Sequence, residues 1–430
     1  MARSVAATLN ARLAATALWS IALAASSAQG ADHVGGPADY LAVVSKLEAG
    51  DTLSLVAGEY RGGLPIHRLH GKAGRPIVVR GPAAATGGRA VFVGRDGANT
   101  VSLVDASYVT LRDLWVDGRH AEADGVKAEG SRDPVHHITL ERLTIVGHDR
   151  AQDVVGISTK CPAWGWVIRD NVIVGAGTGM YLGNSDGHAP FVAGTIENNA
   201  VIDSIGYDIE IKHQVSRPSL AGMPSGALVT TLRGNVFTKS RNASGGSLAR
   251  PNVLLGAFPR AGGGRDDRYD FTGNLVFENG SEALFQGEGN VRVIGNVFIN
   301  GRGDALVVQP HHDRPRQVTI ADNFVAATGR GIAMTGADPN ARQSVVRNVV
   351  YAAIPIAGIA DRGNRAGTYR EPVEALRQWL GRHWTVRDRS ERASLLGRAC
   401  GGAAAGADVC ALQDPIRPGR SPGVKSGRSR

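Results

Sequence analysis

The chain has 430 residues, of which 57 are glycine, with 43% hydrophobic and 5% aromatic side chains and a formal charge of +9. This glycine content excludes a long coiled coil or a helix-rich bundle, because glycine weakens helix interiors. The hydrophobic content excludes a disordered chain. Three cysteines in this length exclude a disulfide-stapled scaffold.

The positive charge is concentrated at the two ends of the chain. Residues 361–430 carry 14 Lys and Arg against 7 Asp and Glu, and the first 30 residues carry two arginines and no acid. The remaining body is balanced, with 32 basic and 32 acidic side chains. A neutral body lacks the basic surface that phosphate-backbone binding requires, so we do not expect nucleic acid as a partner.

The first 30 residues have the pattern of a secretory signal peptide. Two arginines precede an apolar run over 13–25, and Ala28-Gln29-Gly30 offers small residues for cleavage. The run is shorter than the about 20 residues that a membrane-spanning helix needs. We therefore expect a secreted or periplasmic protein without a stable membrane span; an uncleaved anchor is the alternative.

Residues 31–362 contain an internal repeat. Segments such as 167–184, 196–213 and 291–309 place an asparagine between two short apolar strands and follow them with a glycine-containing loop and a third strand. The asparagines align at Asn171, Asn199, Asn235, Asn274, Asn296, Asn323 and Asn348, with Asp113 and Arg142 in the same place in earlier copies. Three period-two strands per repeat predict one coil of a parallel β-helix, which buries its apolar face by stacking on the next coil. Stacked asparagines can form a hydrogen-bonded ladder.

The start of this region contains AGDTLSLVAGEYRGGLPI (49–66) and RPIVVRGP (75–82). Together with the repeat, it resembles the right-handed parallel β-helix superfamily of pectate lyases and chondroitinase B-like polysaccharide lyases. The resemblance implies an all-β, single-stranded right-handed parallel β-helix. It also implies a short capping helix near 37–47 that covers the open end of the coil.

The repeat ends before residue 363. A helix is predicted over 369–389, with its apolar side chains on one stripe, so residues 363–400 are expected to form a helical cap on the C-terminal end of the coil. Residues 401–430 are expected to be a flexible basic tail. In an exported protein Cys400 and Cys410 can pair.

Insertions mark one face of the predicted coil. The spacing between asparagines rises from 28 residues to 36 and 39 and returns to 22, with extra residues in the loops 213–227, 238–251 and 256–270. Insertions on one face of a solenoid usually build its binding face; neutral loop growth is the alternative. With Ile209 pointing inward, strand alternation places Asp208, Glu210 and Lys212 outward. Aligning Leu284 with Ile209 makes Phe285 an outward residue of a later coil.

The outward charges suit proton abstraction beside a uronate carboxylate, which needs a base and a group that neutralises the carboxylate. Lys212 is the candidate base and best matches the lysine of chondroitinase B-like lyases, with Glu210 and His213 as further catalytic candidates. Asp208, Glu210 and Asp186 are candidate ligands of Ca²⁺, the one cofactor that the sequence suggests. The alternative is a surface ladder in which Glu210 pairs with Lys212 and has no chemical role.

Further side chains on or beside this face are candidates for holding an anionic sugar: Lys160, Tyr181, Arg217, Arg250, Arg260, Gln309, His311, His312 and Arg314. The sequence thus predicts a monomeric enzyme that cleaves an acidic, uronate-containing polysaccharide by β-elimination. Three alternatives stay open: a glycoside hydrolase that uses Asp208 and Glu210 as acid and base, a C5-epimerase that shares the proton abstraction, and a protein that only binds polysaccharide.

Overall fold

The computed structural model describes residues 30–83, 87–130, 133–369, 373–401, 410–411 and 413–417. The predicted signal peptide over 1–30, apart from its last residue, lies outside the described residues, and so does most of the predicted tail over 401–430. No helix within the described ranges is long and apolar enough to cross a membrane.

The chain winds into a parallel β-helix with three walls, as the repeat predicts, because each short strand pairs in parallel with the equivalent strand of the next coil. The first wall consists of Asp32–Gly35, Thr52–Leu55, Ile77–Arg80, Ser107–Arg112, Val135–Glu141, Val167–Arg169, Thr195–Glu197, Val229–Arg233, Arg268–Thr272, Val291–Ile294, Val318–Ala321 and Gln343–Val346. Two short strands, Ala163–Trp164 and Phe191–Val192, extend it beside Val135–Glu141.

The second and third walls alternate along the chain. The second wall consists of Gly58–Tyr60, Ala90–Val93, Trp115–Asp117, Thr144–Val146, Val172–Val174, Ala200–Ile202, Val236–Lys239, Leu275–Asn279, Val297–Asn300 and Arg365–Gly367. The third wall consists of Leu64–His67, Val101–Val104, Val126–Glu129, Val155–Thr159, Thr178–Leu182, Ile209–Ile211, Val253–Leu255, Phe285–Gly287 and Leu306–Val308. The long strands Phe324–Met334 and Val349–Ala357 turn the corner and belong to both walls.

An asparagine ladder fixes the register of the coils at the corner between the first and second walls. Asn199 donates its amide Nδ2–H to Asn235 Oδ1 over 2.9 Å, and Asn235 donates to Asn274 over 3.0 Å. The same oxygen of Asn235 accepts the backbone N–H of Asn199, and its amide also donates to the Ile196 carbonyl. Each buried amide is therefore fully used, and the predicted ladder from Asn171 to Asn348 is confirmed.

Asp113 and Arg142 do not belong to this ladder, which corrects the sequence alignment by one residue. Both have positive φ angles, +59° and +53°, like Asp170 directly before Asn171. The corner requires the left-handed conformation at the residue before each asparagine, which glycine, asparagine and aspartate adopt most easily. Arg142 and Asp113 instead form a bidentate pair across two coils, at 2.7 and 2.9 Å.

A short helix, Tyr40–Val44, covers the N-terminal end of the coil, as the resemblance implies. The ring of Tyr40 packs edge-on against Tyr60, with 5.0 Å between centroids, and its hydroxyl donates to the Gly63 carbonyl. Tyr40 and Val44 are buried in the same apolar cluster as the first coils. The helix therefore shields apolar side chains that no earlier coil covers.

The C-terminal helices, Val373–His383, Val386–Gly401 and Gln413–Ile416, lie along the side of the coil rather than across its end. Leu380 and Leu396 pack in one cluster with Ala200, Val236 and Phe324 of the second wall. The predicted end cap is thus corrected: the outward side chains of the second wall are themselves apolar and have to be covered. Cys400 and Cys410 form a disulfide within this segment.

The single helix predicted over 369–389 is divided in two. Thr385 Oγ1 accepts the backbone N–H of Asp388, and the Asp388 carboxylate accepts the backbone N–H of Thr385. This reciprocal pairing is a capping box, which starts a new helix. The break lets the chain turn, and Trp384 Nε1 then donates to the Gly295 carbonyl of the coil over 2.9 Å.

The ladder predicts a large loss of stability on Asn235→Ala. The substitution leaves the backbone N–H and the side-chain amide of Asn199 without their buried acceptor and removes one of the two hydrogen bonds to Asn274 Oδ1. We therefore expect the free energy of unfolding to fall by at least about 2 kcal/mol. The shift of the urea midpoint measures it. Asn340→Ala, in an exposed turn, is the control, and an equal shift in both variants would contradict a ladder that stabilises the coil.

Candidate functional site

The outward face of the third wall lines a groove along the axis of the coil. Its N-terminal segment is a cavity of about 600 Å³, its central segment one of about 710 Å³, and its C-terminal segment one of about 310 Å³. The first two share Asp124, Lys127 and Asp153, and the last two share Tyr207 and Arg250. The groove is therefore continuous and long enough to hold several units of a polymer.

The strand register places one outward column along the floor of the groove. Ser158, Tyr181, Glu210 and Leu254 occupy equivalent positions on successive coils. In the next coil Phe285 pairs with Val253 and points inward, and Gln286 is the outward residue.

The predicted alignment of Leu284 with Ile209 is therefore wrong by one residue. A slip of one residue inverts the two faces of a strand. Leu284 and Phe285 are both fully buried, so the hydrophobic pattern alone does not distinguish between the two registers.

Two lysines flank one tyrosine in the central segment. Lys160 Nζ lies 3.4 Å from the centroid of the Tyr181 ring, and Lys212 Nζ lies 5.4 Å from it. Lys160 follows the strand before Tyr181 and Lys212 follows the strand after it. Gly183 lies between the two lysines, and a Cβ there would be 3.3 Å from that of Lys212. Its small size and positive φ of +94° keep the ring open to both amines.

The two lysines have opposite pKa shifts. Burial, together with the charges of Lys127 and Lys212, lowers the pKa of Lys160 to about 8 against the opposing effect of nearby carboxylates. Burial also disfavours the charge of Lys212, but the carboxylate of Glu210 outweighs it and raises the pKa of this lysine. Lys212 Nζ donates to Glu210 Oε1 over 2.7 Å. The interpretation of Lys212 as a base with a lowered pKa is therefore corrected, and Lys160 has that property.

The three predicted calcium ligands do not converge. Asp208 is fully buried, accepts a hydrogen bond from Asn252 Nδ2 over 2.9 Å, and has a pKa raised well above its usual range by burial. Asp186 caps its own exposed turn by accepting the N–H of His188. Among the described residues no group of three His, Cys, Asp or Glu side chains is placed to hold a metal ion. The donor set does not fit Ca²⁺, which takes six or more oxygen ligands.

Three of the other predicted side chains line the groove. Arg250 borders the central and C-terminal segments, and Gln309 and His311 line the C-terminal segment. His213 and His312 line neither segment; their rings stack 3.7 Å apart. His312 Nδ1 lies 3.0 Å from Glu288 Oε1, so this pair braces the loop instead of facing a ligand.

Three predicted arginines lie outside the groove. Arg217 is buried, pairs with Asp267 over 3.0 Å and donates to the carbonyls of Pro224 and Gly226. Arg260 is exposed and pairs with Asp313. Arg314 is exposed and lines none of the three segments. Arg217 and Arg260 therefore fasten loops. Their binding role was predicted from loop position alone, which does not reveal their acidic partners.

Several groove residues lie away from the inserted loops, from which the site was predicted, and the sequence prediction does not include them. Lys127, which forms an ion pair with Asp124 over 3.1 Å, is outward by the same alternation and could have been found. Asp153 lies in a loop without any repeat signal. Tyr207 reaches the groove from the residues before its strand, where alternation no longer applies.

No protein-family model matches the chain, and no curated protein matches it. Solved structures with a similar fold include an alginate lyase from Paenibacillus sp. str. FPU-7 (TM-score 0.45, 13% identity, 78% of this chain and 99% of that one). Pectate lyase Pel9A has a TM-score of 0.42 and 9% identity, with 79% of each chain covered. The A-module of mannuronan C-5 epimerase AlgE4 from Azotobacter vinelandii has a TM-score of 0.40 and 17% identity, covering 77% of this chain and 93% of that one. The predicted parallel β-helix is confirmed by the strand pairing of the chain itself, and a shared fold does not determine a reaction.

The ion pair with Glu210 should determine the pKa of Lys212. In Glu210→Gln the charge and the charged hydrogen bond that raise the pKa of Lys212 are lost, so burial and Lys160 should bring this pKa below the ordinary value for lysine. Nuclear magnetic resonance of the lysine Nζ and Cε atoms measures the titration. Glu197→Gln on the first wall is the control, and a Lys212 pKa unchanged by Glu210→Gln would contradict the pairing.

The buried ion pair of Arg217 should stabilise the folded protein. Arg217→Met leaves Asp267 as an unpaired buried carboxylate, so we expect the free energy of unfolding to fall by about 3–5 kcal/mol. Arg260→Met, which breaks an exposed ion pair, should change it much less. Urea unfolding of both variants measures the difference, and a stable Arg217→Met that fails to bind sugar would restore the predicted binding role.

Proposed function

We propose that the protein is a polysaccharide lyase that cleaves an acidic, uronate-containing polysaccharide by β-elimination in the central segment of the groove. The observation that carries this proposal is the placement of Lys160 and Lys212 on the two sides of Tyr181, with Lys212 alone paired to Glu210. The opposite directions of their pKa shifts agree with this arrangement. One amine suits the role of a base and the other that of a fixed cation, and β-elimination beside a carboxylate needs both.

Lys160 is the base in this proposal. With a pKa of about 8, an appreciable fraction of its amines is neutral near pH 7 and can accept the proton on the carbon beside the uronate carboxylate. Lys212 stays protonated through Glu210 and neutralises that carboxylate, which makes the carbon proton more acidic. The division of roles follows from Glu210, whose carboxylate pairs with Lys212 and keeps it charged. Burial lowers the pKa of Lys160, although its amine lies against the face of Tyr181.

The electrons released by proton transfer form the new carbon–carbon double bond as the glycosidic carbon–oxygen bond breaks. The leaving oxygen then takes a proton from a donor in the groove. We assign this donor to the Tyr181 hydroxyl, which lies 2.6 Å from the hydroxyl of Ser185 and lines the central segment. No step in this reaction depends on calcium, since the predicted ligands do not form a site.

The hydrolase alternative needs Asp208 and Glu210 as an acid–base pair, and these two side chains are not both accessible. Inverting hydrolysis needs two accessible carboxyl groups on opposite sides of the bond that is cleaved. Asp208 is fully buried, and Glu210 is held by Lys212. The groove therefore favours proton abstraction over acid–base hydrolysis by this pair.

We also propose that residues 1–30 direct export and are removed, and that the folded protein acts as a monomer in the periplasm or outside the cell. The two arginines, the apolar run and the small residues at the proposed cleavage site support the export signal. Determining the N-terminal sequence of protein recovered outside the cytoplasm tests the cleavage.

The reaction is tested by screening uronate-containing polysaccharides for unsaturated products by ultraviolet absorbance. We expect Lys160→Ala to lower kcat/KM by about 10²–10⁴-fold. For the wild type, kcat/KM should rise as pH increases through about 8, because the reactive form of Lys160 is the deprotonated one. Lys72→Ala, at an exposed lysine outside the groove, is the control.

Other products would identify the alternatives. New reducing ends without unsaturation would indicate hydrolysis, and proton exchange without chain cleavage would indicate epimerisation. Binding without any product would leave a protein that only holds the polymer. Full activity of Lys160→Ala would remove Lys160 as the base.

A further inference from the structure

We propose that the groove selects a heteropolymer in which the uronate of the central segment is linked, on the side of the N-terminal coils, to a sugar without a carboxylate. This inference rests on the proposed function and specifies its substrate class. It excludes a polymer made of uronates alone as the preferred substrate. It is carried by the side chains that line the N-terminal segment.

Neighbouring sugars of the polymer meet neighbouring coils of the protein. Strands of adjacent coils are about 4.8 Å apart, which is close to the length of one sugar unit. If a uronate lies against Tyr181 and Lys160, the next units toward the N-terminus lie over Val126–Glu129 and Val101–Val104. The N-terminal segment is formed over these strands and is continuous with the central one.

The N-terminal segment has an excess of negative charge. The carboxylates of Glu122, Asp124, Glu129 and Asp153 line it, against the cations of Arg95 and Lys127. Lys127 is already paired with Asp124 over 3.1 Å. His67 adds no positive charge at neutral pH, because burial lowers its pKa below the ordinary value of 6.5. A second carboxylate on the polymer would therefore be repelled here.

The same segment offers hydrogen bonds of the kind that hydroxyl groups use. Glu129 Oε1 accepts from Asn99 Nδ2 over 2.9 Å and from Ser102 Oγ over 3.0 Å, and Ser102 Oγ lies 2.9 Å from His67 Nε2. These contacts fix the carboxylate and the hydroxyl in place while other lone pairs stay available. The arrangement suits an uncharged sugar, which both donates and accepts.

The central segment differs in the balance of charge. Four cations line it, against three carboxylates: Lys127, Lys160, Lys212 and Arg250 against Asp124, Asp153 and Glu210. Asp124 is paired with Lys127 and Glu210 with Lys212, which leaves Lys160 and Arg250 against Asp153. A carboxylate is therefore attracted in the centre and repelled one or two coils away. This contrast within one continuous groove sets the spacing of charges on the preferred polymer.

The test is a binding comparison on the full chain, by calorimetry at low salt. The probes are a tetrasaccharide of mannuronate alone, one of galacturonate alone, and a hyaluronan tetrasaccharide, in which uronates alternate with uncharged sugars. We expect the alternating probe to bind at least about tenfold more tightly than either homopolymer. Added salt should narrow this ratio, because it screens the repulsion.

The charge contrast along the groove is tested with the double variant Glu129→Gln and Asp153→Asn, which removes two negative charges and keeps the side-chain shape and one acceptor oxygen at each position. It should tighten binding of the homopolymers by about tenfold and reduce the preference accordingly. Glu374→Gln, on the exposed side of a C-terminal helix, removes a negative charge away from the groove and should leave the preference unchanged.

Two results would overturn the inference: homopolymers that bind the wild type as tightly as the alternating probe, or a preference that the double variant does not change. The outcome is separate from that of the proposed reaction. Binding preference is read without turnover, whereas the reaction is judged by unsaturated product. An alternating preference without any unsaturated product would leave this inference standing and reject the lyase.

Discussion

Every feature of the groove depends on the register between stacked coils. Parallel coils about 4.8 Å apart turn each repeat position into a column of side chains. The asparagine ladder fixes that register at one corner with bonds such as Asn199 to Asn235 at 2.9 Å. Because the corner is fixed, residues far apart in sequence, such as Lys160, Tyr181 and Lys212, are brought together on three neighbouring coils. A shift of one residue in any coil would turn its groove residues into the core.

Burial and pairing together decide which of the two lysines holds its proton more tightly. Both amines lie in a partly buried groove, where charge is disfavoured, and each raises the cost of charging the other. Glu210 resolves this competition by stabilising the charge of Lys212 at 2.7 Å, while Lys160 faces an aromatic ring. The ion pair that would be inert on a simple surface strand thus separates the pKa values of the two amines. A single carboxylate sets up the asymmetry on which the proposed chemistry rests.

The repeat made the coils, the ladder and most outward positions of the third wall predictable, because each has a period that the sequence shows directly. The errors occur where the period is interrupted. Leu284 and Phe285 are both buried, so a one-residue slip was invisible. Asp208 lies just before its strand and is buried instead of following the outward alternation. Loop arginines such as Arg217 have acidic partners fifty residues away, and no spacing rule identifies them.

The outward side chains of the three walls are paired or covered in different ways, which explains why the groove lies on the third wall. On the first wall, charged side chains pair between coils, as Arg169 does with Glu141. On the second wall, outward apolar side chains such as Val236 are covered by the C-terminal helices. On the third wall, the loops between strands are lengthened, and the ion pairs of Lys127 with Asp124 and of Lys212 with Glu210 each lie within one coil. A surface whose charges are unevenly compensated keeps a net field along its length, and a polymer with a matching spacing of charges can meet it.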